Sequence, residues 1–394
     1  MKRWPGWMLV PAGAALAALL MWRFGAHAPP APDPVPSDVP PPAVLAARAS
    51  AVAPPSSAPA RPAYLRHYDP AMELCRQPPL SAESEAALAK PGSAMERYMQ
   101  VQADDLKAYV IDALLARGDD QSRVAVAMLR GDVAGVAEIA RRTDDGMAYG
   151  MAWQVCQGRG AQAVMRRAAA AADAAELDAE VEQERAATAS NCDALSLERW
   201  AQLQPDDAAP WLHQLDAARR ANDEGAVAQA LYRLGQAREL RSRWPWLGGQ
   251  VMAVLPDDAP LGGRMQLLTD AIGRDAALVA GLGVSAASKS CEGAALQDGN
   301  RRQQCERVAE LLRGRSDRLL DRTVGARMGE RLGLPPIQPD LAAIKAMQER
   351  HADRYGARLD KPTACDALRL MEEDGAEVAR LGEWEALVSR FGKP

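Results

Sequence analysis

From about Tyr64 to the end of the chain, apolar residues recur at the three- and four-residue spacing of amphipathic helices. Long alternating or β-branched runs, which would make strands, are missing over this length. This pattern constrains the fold more than any other feature, because a chain without strands must bury its apolar faces by packing helix on helix. We therefore predict an all-α domain over residues 64–394.

The first helices of this domain can be placed from their caps and stops. Ser93 is suited to cap a helix that runs to Arg117, where Gly118 is a stop signal. Shorter helices are predicted at residues 121–130, 133–142 and 146–157. The turn signals Gly131-Asp132 and Asp144-Asp145 separate them. The sequence therefore predicts a series of short, consecutive helices.

Residues 160–190 form an Ala/Glu/Arg-rich stretch with few large apolar residues. This composition forms helix readily but supplies little apolar surface for a core. We therefore expect a largely exposed helical insertion. Cys156 and Cys192 bracket it, so a disulfide between them would close its base.

Residues 195–237 carry a helix–turn–helix pattern, with Pro210-Trp211 at a helix start and Asn222-Asp223-Glu224 at the turn. The pattern resembles one tetratricopeptide (TPR) unit. The residues that match the packing positions of that family are Trp211, Leu215, Ala218, Ala226, Ala230 and Leu231. A fainter copy of the turn and second helix begins at Ala116, about three 34-residue periods upstream. The resemblance implies a helical-hairpin, TPR-like repeat array.

The N-terminus predicts a membrane anchor. Lys2 and Arg3 precede an uncharged run at 4–22, and Arg23 follows it. As a helix this run is about 28 Å long, close to the ~30 Å hydrocarbon core of a bilayer. The preceding positive charges place residues 1–3 in the cytoplasm. We expect a single-pass inner-membrane anchor at 4–22, with the bulk of the chain in the periplasm.

The alternative is a cleaved signal peptide and a free periplasmic protein. Ala26-His27-Ala28 has the small-x-small form of a cleavage site. Pro29 and Pro30 follow at once, and proline there disfavours cleavage. The anchor, or an uncleaved signal, is the favoured interpretation.

Residues 29–63 are rich in proline and alanine. Proline fixes φ and removes amide donors, so this stretch favours extended polyproline II and cannot build a core. We predict a disordered linker that holds the domain away from the membrane. A ligand for a proline-recognising partner is the alternative.

The six cysteines fit an oxidising compartment, where an even count indicates up to three disulfides. Sequence proximity favours the pairs Cys291–Cys305 and Cys156–Cys192. The third pair, Cys75–Cys365, follows by elimination. All three are predicted to be structural, because no C-x-x-C dithiol of the thioredoxin type exists in the chain.

The C-terminal part continues with amphipathic helices. One apolar face is predicted to run through the residues that follow Cys305, with Gly314 as a point where the helix can break and Pro335-Pro336 as its end. The residues of this face are Val308, Leu312, Leu319, Leu320, Val324, Met328 and Leu332.

Three short motifs resemble those of a group of proteobacterial exported, periplasmic proteins. They are an S-x-x-C loop (Ser288 to Cys291), an N-R-R-x-x-C helix start (Asn300 to Cys305) and a G-x-R-x-G helix end. The last reads GARMG here, from Gly325 to Gly329, which departs from the spacing of the group. This resemblance implies an exported helical protein and no activity.

Motifs for common chemistries are absent from the sequence. The four histidines lack a Cys or His partner three or four residues away, so we predict no metal site. No G-x-S-x-G or S-x-x-K motif supports a serine nucleophile. The glycines at 281 and 283 follow a helix, not a strand, so they lack the context of a phosphate-binding loop, and no cofactor is expected. The net charge of −5, with mixed signs, argues against nucleic acid.

Tryptophans are the remaining candidates for binding. Trp211, Trp244 and Trp246 are predicted as a candidate interaction surface, whereas packing between helices is the alternative for these and for Trp153, Trp200 and Trp384.

Two functions are compatible with the sequence. The favoured one is a membrane-tethered periplasmic scaffold that binds an unidentified protein without catalysis. The alternative is a cell-wall-acting hydrolase or lyase on a helical scaffold, which would need an acidic residue in a cleft. Ser84-Glu85, the only Ser-Glu pair, lies in a short Ala-rich segment without aromatic neighbours.

Overall fold

The computed structural model describes residues 62–70, 94–169, 191–241, 244–279, 283–336, 341–358 and 364–392. These residues form fifteen α-helices and two 3-10 turns, and they contain no strand. The first 3-10 turn, Ala63–Leu65, opens the described chain. The all-α prediction is therefore confirmed for the part of the chain that the structure describes.

The N-terminal half contains seven helices. They are α1 Ala94–Arg117, α2 Asp120–Arg130, α3 Val133–Arg142, α4 Gly146–Ala169, α5 Leu197–Leu203, α6 Ala209–Arg220 and α7 Glu224–Gln236. The C-terminal half contains eight. They are α8 Trp246–Met252, α9 Leu261–Val279, α10 Val284–Ser290, α11 Gly299–Arg315, α12 Leu319–Leu332, α13 Leu341–Arg358, α14 Ala364–Leu381 and α15 Glu383–Phe391. The second 3-10 turn, Gly293–Gln297, lies between α10 and α11.

Aspartates set the starts of several helices, and two of them, Asp132 and Asp223, lie in turns predicted from the sequence. The Asp119 side chain accepts the Ser122 N–H at 2.7 Å, and Asp132 accepts the Gly135 N–H at 2.7 Å. Asp223 and Asp298 cap α7 and α11 in the same way. Each carboxylate satisfies an N–H that has no partner within its helix, and its charge is favourable at the N-terminus. Helix α3 begins and ends at the predicted residues.

Two boundaries differ from the prediction. Helix α4 continues past residue 157 to Ala169, because the Ala-rich stretch has high intrinsic helix propensity. Gly314 does not break a helix, since α11 runs to Arg315 and the interruption falls at residues 316–318. That interruption shifts the helical phase of α12. Leu319 is therefore buried and Leu320 is 50% exposed, so the prediction that Leu320 belongs to the buried face was wrong.

One continuous apolar core joins α1 to α12 and part of α14, with Trp200, Leu106 and Leu231 among its fully buried side chains. Helix α9 packs against α1, α4, α8 and α14. These contacts join elements that lie far apart in sequence, whereas each unit of a linear repeat array contacts only its neighbours. Helices α6 and α7 pack closely as a hairpin over the span predicted as TPR-like.

A second, smaller apolar cluster lies at the C-terminal end. Leu319, Ile344, Met347, Trp384 and Leu387 form it, so it joins the start of α12 to α13 and α15.

Several predicted segments lie outside the described residues. They are the cytoplasmic stub at 1–3, the anchor at 4–22, nearly all of the linker at 29–63, Cys75, Ser84-Glu85 and most of the insertion at 160–190. Among the helices that the structure describes, none has the length and apolar character needed to cross a bilayer.

Candidate functional site

The structure pairs Cys156 with Cys192 and Cys291 with Cys305, the two pairs that sequence proximity favours. All four cysteines are buried, with at most 3% of their surface exposed. Cys365 is also disulfide-bonded, and Cys75, its predicted partner, lies outside the described residues. Burial of this kind suits structural staples, because thiol exchange needs access to an attacking thiolate.

The motifs around Cys291 and Cys305 meet at one end of the molecule. Arg331 of α12 donates to the Ser288 Oγ at 2.8 Å and to Glu292 at 3.0 Å. Arg302 of α11 donates to the Leu332 carbonyl at 2.8 Å, which satisfies the C-terminus of α12. The S-x-x-C and N-R-R-x-x-C motifs therefore hold the loop and two helix ends together.

The GARMG motif permits a close approach between α11 and α12. A Cβ atom at Gly325 would lie 2.4 Å from the backbone nitrogen of Arg313 and 2.7 Å from the Leu312 Cβ. Such distances are far inside van der Waals contact, so only glycine fits there. Arg313 itself is buried and donates to the Pro335 carbonyl at 2.9 Å. The motif thus serves packing.

The three tryptophans predicted as an interaction surface are half-buried, and Trp211 lies on a different group of packed helices from Trp244 and Trp246. Trp211 lies in the first turn of α6, which packs against α5, α7 and α10. Trp246 opens α8, which packs against α2, α9 and α14, and Trp244 lies two residues before it. Trp246 also packs against the apolar core.

Trp153, Trp200 and Trp384 do not line a groove, because each is at most 7% exposed. The rings of Trp153 and Trp200 lie 5.5 Å apart, and the His213 ring lies 4.6 Å from that of Trp153. The Trp200 indole donates to Gln204 at 2.9 Å. The packing interpretation holds for these three residues.

Beside the half-buried Trp211, one exposed aromatic residue reaches solvent on the α6–α7 hairpin. Tyr232 is 50% exposed, and the Arg233 guanidinium lies 5.8 Å from the centre of the Trp211 ring, within range of a cation–π contact. We call Trp211, Tyr232 and Arg233 the hairpin surface. Tyr232 follows Leu231 directly and so points away from the buried stripe of Val227, Leu231 and Leu234. That phase is the signal in the sequence from which the exposure of Tyr232 could have been predicted.

A cleft of about 530 Å³ lies where the N-terminal segment, the α8–α9 loop, α9 and α14 meet. We call it the α9–α14 cleft. Its lining residues are Leu65, Tyr68, Asp257, Asp258, Ala259, Pro260, Leu261, Arg264, Arg369 and Glu372. They come from positions more than 300 residues apart in sequence, so no local pattern could indicate the cleft.

Hydrogen bonds fix both walls of the α9–α14 cleft. The Tyr64 hydroxyl donates to Asp258 at 2.7 Å, and this bond, with burial adding to it, raises the pKa of Tyr64 to about 12. On the other wall the Arg264 Nε donates to Glu372 at 2.7 Å. The Arg264 Nη1 donates to the Asp257 carbonyl at 3.2 Å. The walls are therefore braced by partly buried, charge-assisted contacts.

The chemistry available in the cleft is that of carboxylates and guanidinium groups. Burial raises the pKa of Glu372, while Arg264 and Arg369 oppose that shift. The lining contains no serine, cysteine, histidine or lysine. Within the described ranges no three side chains are grouped to hold a metal ion. The arrangement suits binding through charged hydrogen bonds, and only Glu372 has features of an acid–base group.

Two other carboxyls, on the buried Asp275 and the half-buried Glu383, act as structural caps. Asp275 of α9 accepts the N–H groups of Leu247 and Gly248, both at 2.9 Å, at the start of α8. Burial raises the pKa of Asp275 to about 7, although these two bonds oppose the shift. Glu383 accepts the Leu319 N–H at 3.0 Å at the start of α12, and burial raises its pKa as well.

Comparison with known proteins found no matching family model, no matching curated protein and no matching solved structure. The function is therefore argued from the geometry.

Proposed function

We propose that this chain is a helical scaffold, tethered to the inner membrane by residues 4–22 and exposed to the periplasm, that binds another protein without catalysing a reaction. The hairpin surface carries the proposal. It places an exposed tyrosine and an Arg-covered tryptophan on one closely packed helical hairpin.

Tyrosine, tryptophan and arginine are the side chains most enriched among the dominant residues of protein interfaces. Tyr and Trp offer large contact area at a small entropic cost, because each has only two side-chain torsions. The hairpin beneath them is rigid, since Leu212, Leu215, Leu231 and Leu234 are fully buried. A preorganised surface loses little entropy on binding, so this hairpin is suited to recognition.

The proposed compartment is supported by the cysteines and by the N-terminal sequence. Disulfides persist in oxidising compartments such as the periplasm, and the two described pairs are both formed. Lys2 and Arg3 before the uncharged run at 4–22 favour a membrane-spanning orientation with the domain outside the cytoplasm.

Co-purification of the full chain in mild detergent tests the binding proposal. We expect the wild type to retain one exported protein at near-stoichiometric level, and Tyr232→Ala to lose it. Leu320→Ala is the matched control, because Leu320 is also 50% exposed but lies on α12. Absence of any partner above background, or equal retention by both variants, would contradict the proposal.

A cell-wall hydrolase or lyase remains the second candidate, and Glu372 is the observation in its favour. A carboxyl whose pKa is raised by burial, in a cleft with two further carboxylates, is a feature of acid catalysis. Its ion pair with Arg264 at 2.7 Å argues the other way, because it stabilises the ionised form. Incubation of the full chain with peptidoglycan should release no fragments. Release by the wild type and not by a folded Glu372→Gln variant would replace the scaffold proposal.

A further inference from the structure

We infer that the α9–α14 cleft binds an extended peptide segment that carries a positive group at one end and a negative group at the other. The inference rests on the proposed function in one respect, since it takes the ligand to be part of a protein. It concerns a site separate from the hairpin surface, on different helices.

Four of the residues that line the cleft are apolar. They are Leu65, Ala259, Pro260 and Leu261, and Ala259 and Pro260 are buried. Side chains of this size can pack against the middle of a peptide without specifying its sequence. Binding clefts commonly combine an apolar lining with a few polar groups that fix the orientation of the ligand.

The acidic wall has one carboxylate that is engaged and one that is available. Asp258 accepts the Tyr64 hydroxyl at 2.7 Å. The Asp257 side chain, its neighbour, is exposed and makes no hydrogen bond or ion pair within the described part of the chain, although its carbonyl is held by Arg264. Asp257 is therefore placed to accept from a ligand ammonium or guanidinium group.

The basic wall likewise has one guanidinium group that is engaged and one that is available. Arg264 is held by Glu372 and by the Asp257 carbonyl, and its side chain is only 19% exposed. Arg369 lies one turn before Glu372 on α14. It is exposed and has no ion pair among the residues that the structure describes. Its guanidinium can therefore bind a ligand carboxylate, and a guanidinium can do so with two parallel bonds.

These charges select the class of ligand. Three carboxylates against two guanidinium groups disfavour nucleic acid and other polyanions. A free small molecule is normally buried by 70–90% or more of its surface in its pocket, whereas Asp257, Asp258 and Arg369 are all exposed at the mouth of this cleft. A chain that crosses the cleft and continues beyond it needs no such enclosure. The charged lining of the cleft thus favours a peptide with opposite charges a few residues apart.

Isothermal titration calorimetry with the full chain in mild detergent tests this inference. The probes are blocked peptides, acetyl-Lys-Ala-Glu-amide and its homologues with two and three alanines, which cover the spacing of the charges. The control peptides carry glutamine in place of both charged residues. We expect saturable binding for at least one charged probe, none for the controls, and weaker binding at high salt because exposed charges are screened.

Two substitutions assign the binding to the cleft. Asp257→Asn and Arg369→Gln should each weaken the best probe by about three- to fivefold, the size expected for an exposed ion pair. In the Asp257→Asn variant, replacing only the lysine of the best probe with glutamine should no longer weaken binding, which a general structural effect would not produce. Asp112→Asn and Arg327→Gln, both exposed and outside the cleft, should leave binding unchanged.

Three results would overturn the inference: no saturable binding of any charged probe, equal binding by the cleft variants and the wild type, or tighter binding of free 6-aminohexanoate than of every peptide. None of these would affect the proposed function, because partner loss through Tyr232→Ala is measured separately. Conversely, if peptides bind at the cleft but Tyr232→Ala does not reduce retention of the partner, this inference is supported and the proposed function is not.

Discussion

The body that contains α1–α11 and the junction at the C-terminal end are held together in different ways. The body encloses one continuous apolar core and both described disulfides. We define the junction as the loop at 316–318 together with the first turns of α12, α13 and α15. Only five buried apolar residues form its cluster. Its other buried side chains are mostly polar or charged, and they include Ser316, Asp321 and Arg322.

Arg322 is the centre of the junction. It is 8% exposed, and it donates to the Ser316 carbonyl at 2.7 Å and to the Arg313 carbonyl at 3.2 Å. Its guanidinium also lies 4.4 Å from the centre of the Trp384 ring. Burial lowers the pKa of Arg322 to about 10, so it stays charged at neutral pH, and Glu385 and Asp317 oppose the shift.

Asp321 and Glu383 add two further carboxyls to the junction. Asp321 is fully buried and accepts the Ser316 hydroxyl at 2.9 Å, and Glu383 caps α12. The body therefore relies mainly on its apolar core, with Asp275 and Arg313 among its buried polar groups, whereas the junction depends more on individual polar contacts. A buried charge is costly unless it is paired and hydrogen-bonded, so the junction should be the more sensitive region to single substitutions.

The largest expected effect is therefore in the junction. Arg322→Ala should lower the free energy of unfolding by about 3–5 kcal/mol, because it leaves two buried carbonyls unpaired and uncovers Trp384. Chemical denaturation followed by far-UV circular dichroism measures this loss. Arg322→Met is the control that keeps the aliphatic stem, and it should cost less. A loss of unfolding free energy below about 1 kcal/mol for Arg322→Ala would contradict the claim that the junction is the more sensitive region.

Asp275 is a buried carboxyl within the body. It allows the effect of a buried polar group there to be compared with that of Arg322 in the junction. The pKa of Asp275 in the folded state, about 7, exceeds the ordinary value of 3.8. The folded state therefore holds a proton more tightly than the unfolded state, and the stability from this group is lost as pH rises from about 4 to 7. The full difference corresponds to on the order of 4 kcal/mol.

The measurement is the free energy of unfolding across that pH range for the wild type and Asp275→Asn. The variant should show a shallower decline with rising pH, because asparagine does not titrate. Other carboxyls with raised pKa values, such as Glu372 and Glu383, remain in both proteins and cancel in the difference. Parallel curves for the two proteins would show that Asp275 does not titrate in this window.

Removal of the Cys291–Cys305 disulfide should have a smaller effect. The cysteines are 14 residues apart, and freeing a loop of that length lowers stability by about 3 kcal/mol on the chain-entropy argument. The double substitution to serine, measured by denaturation against the wild type, checks this value. The Cys156–Cys192 pair, 36 residues apart, should cost slightly more. The reverse order would indicate that local contacts, and not chain entropy, set the effect.

The smallest expected effect is at the end of α12. Gly333 has φ +71° and no atom near the position of a Cβ, so Gly333→Ala should cost only about 1–2 kcal/mol of backbone strain. Gly299→Ala, where φ is not positive and no atom is near, should be close to neutral. A thermal melt of the three proteins suffices, and equal losses for both variants would exclude backbone strain as the cause.

The same contrast explains what could be predicted from the sequence. Helix α3 and the Asp caps were predictable because they depend on local spacing and local turn chemistry. The place of Leu320 was predicted wrongly because three non-helical residues reset the phase of α12. The buried Arg313 and Arg322 have no signal in periodicity, since arginine is normally exposed. The α9–α14 cleft depends on helices that meet only in the folded chain.

The central claim is that the hairpin surface binds an exported protein, and site-specific photo-crosslinking in cells tests it most directly. A photoreactive amino acid at position 232 samples the hairpin, and the same group at position 320 samples an equally exposed site at the junction. We expect one discrete protein adduct from position 232 and none from position 320. The same adducts from both positions, or none from position 232, would contradict it.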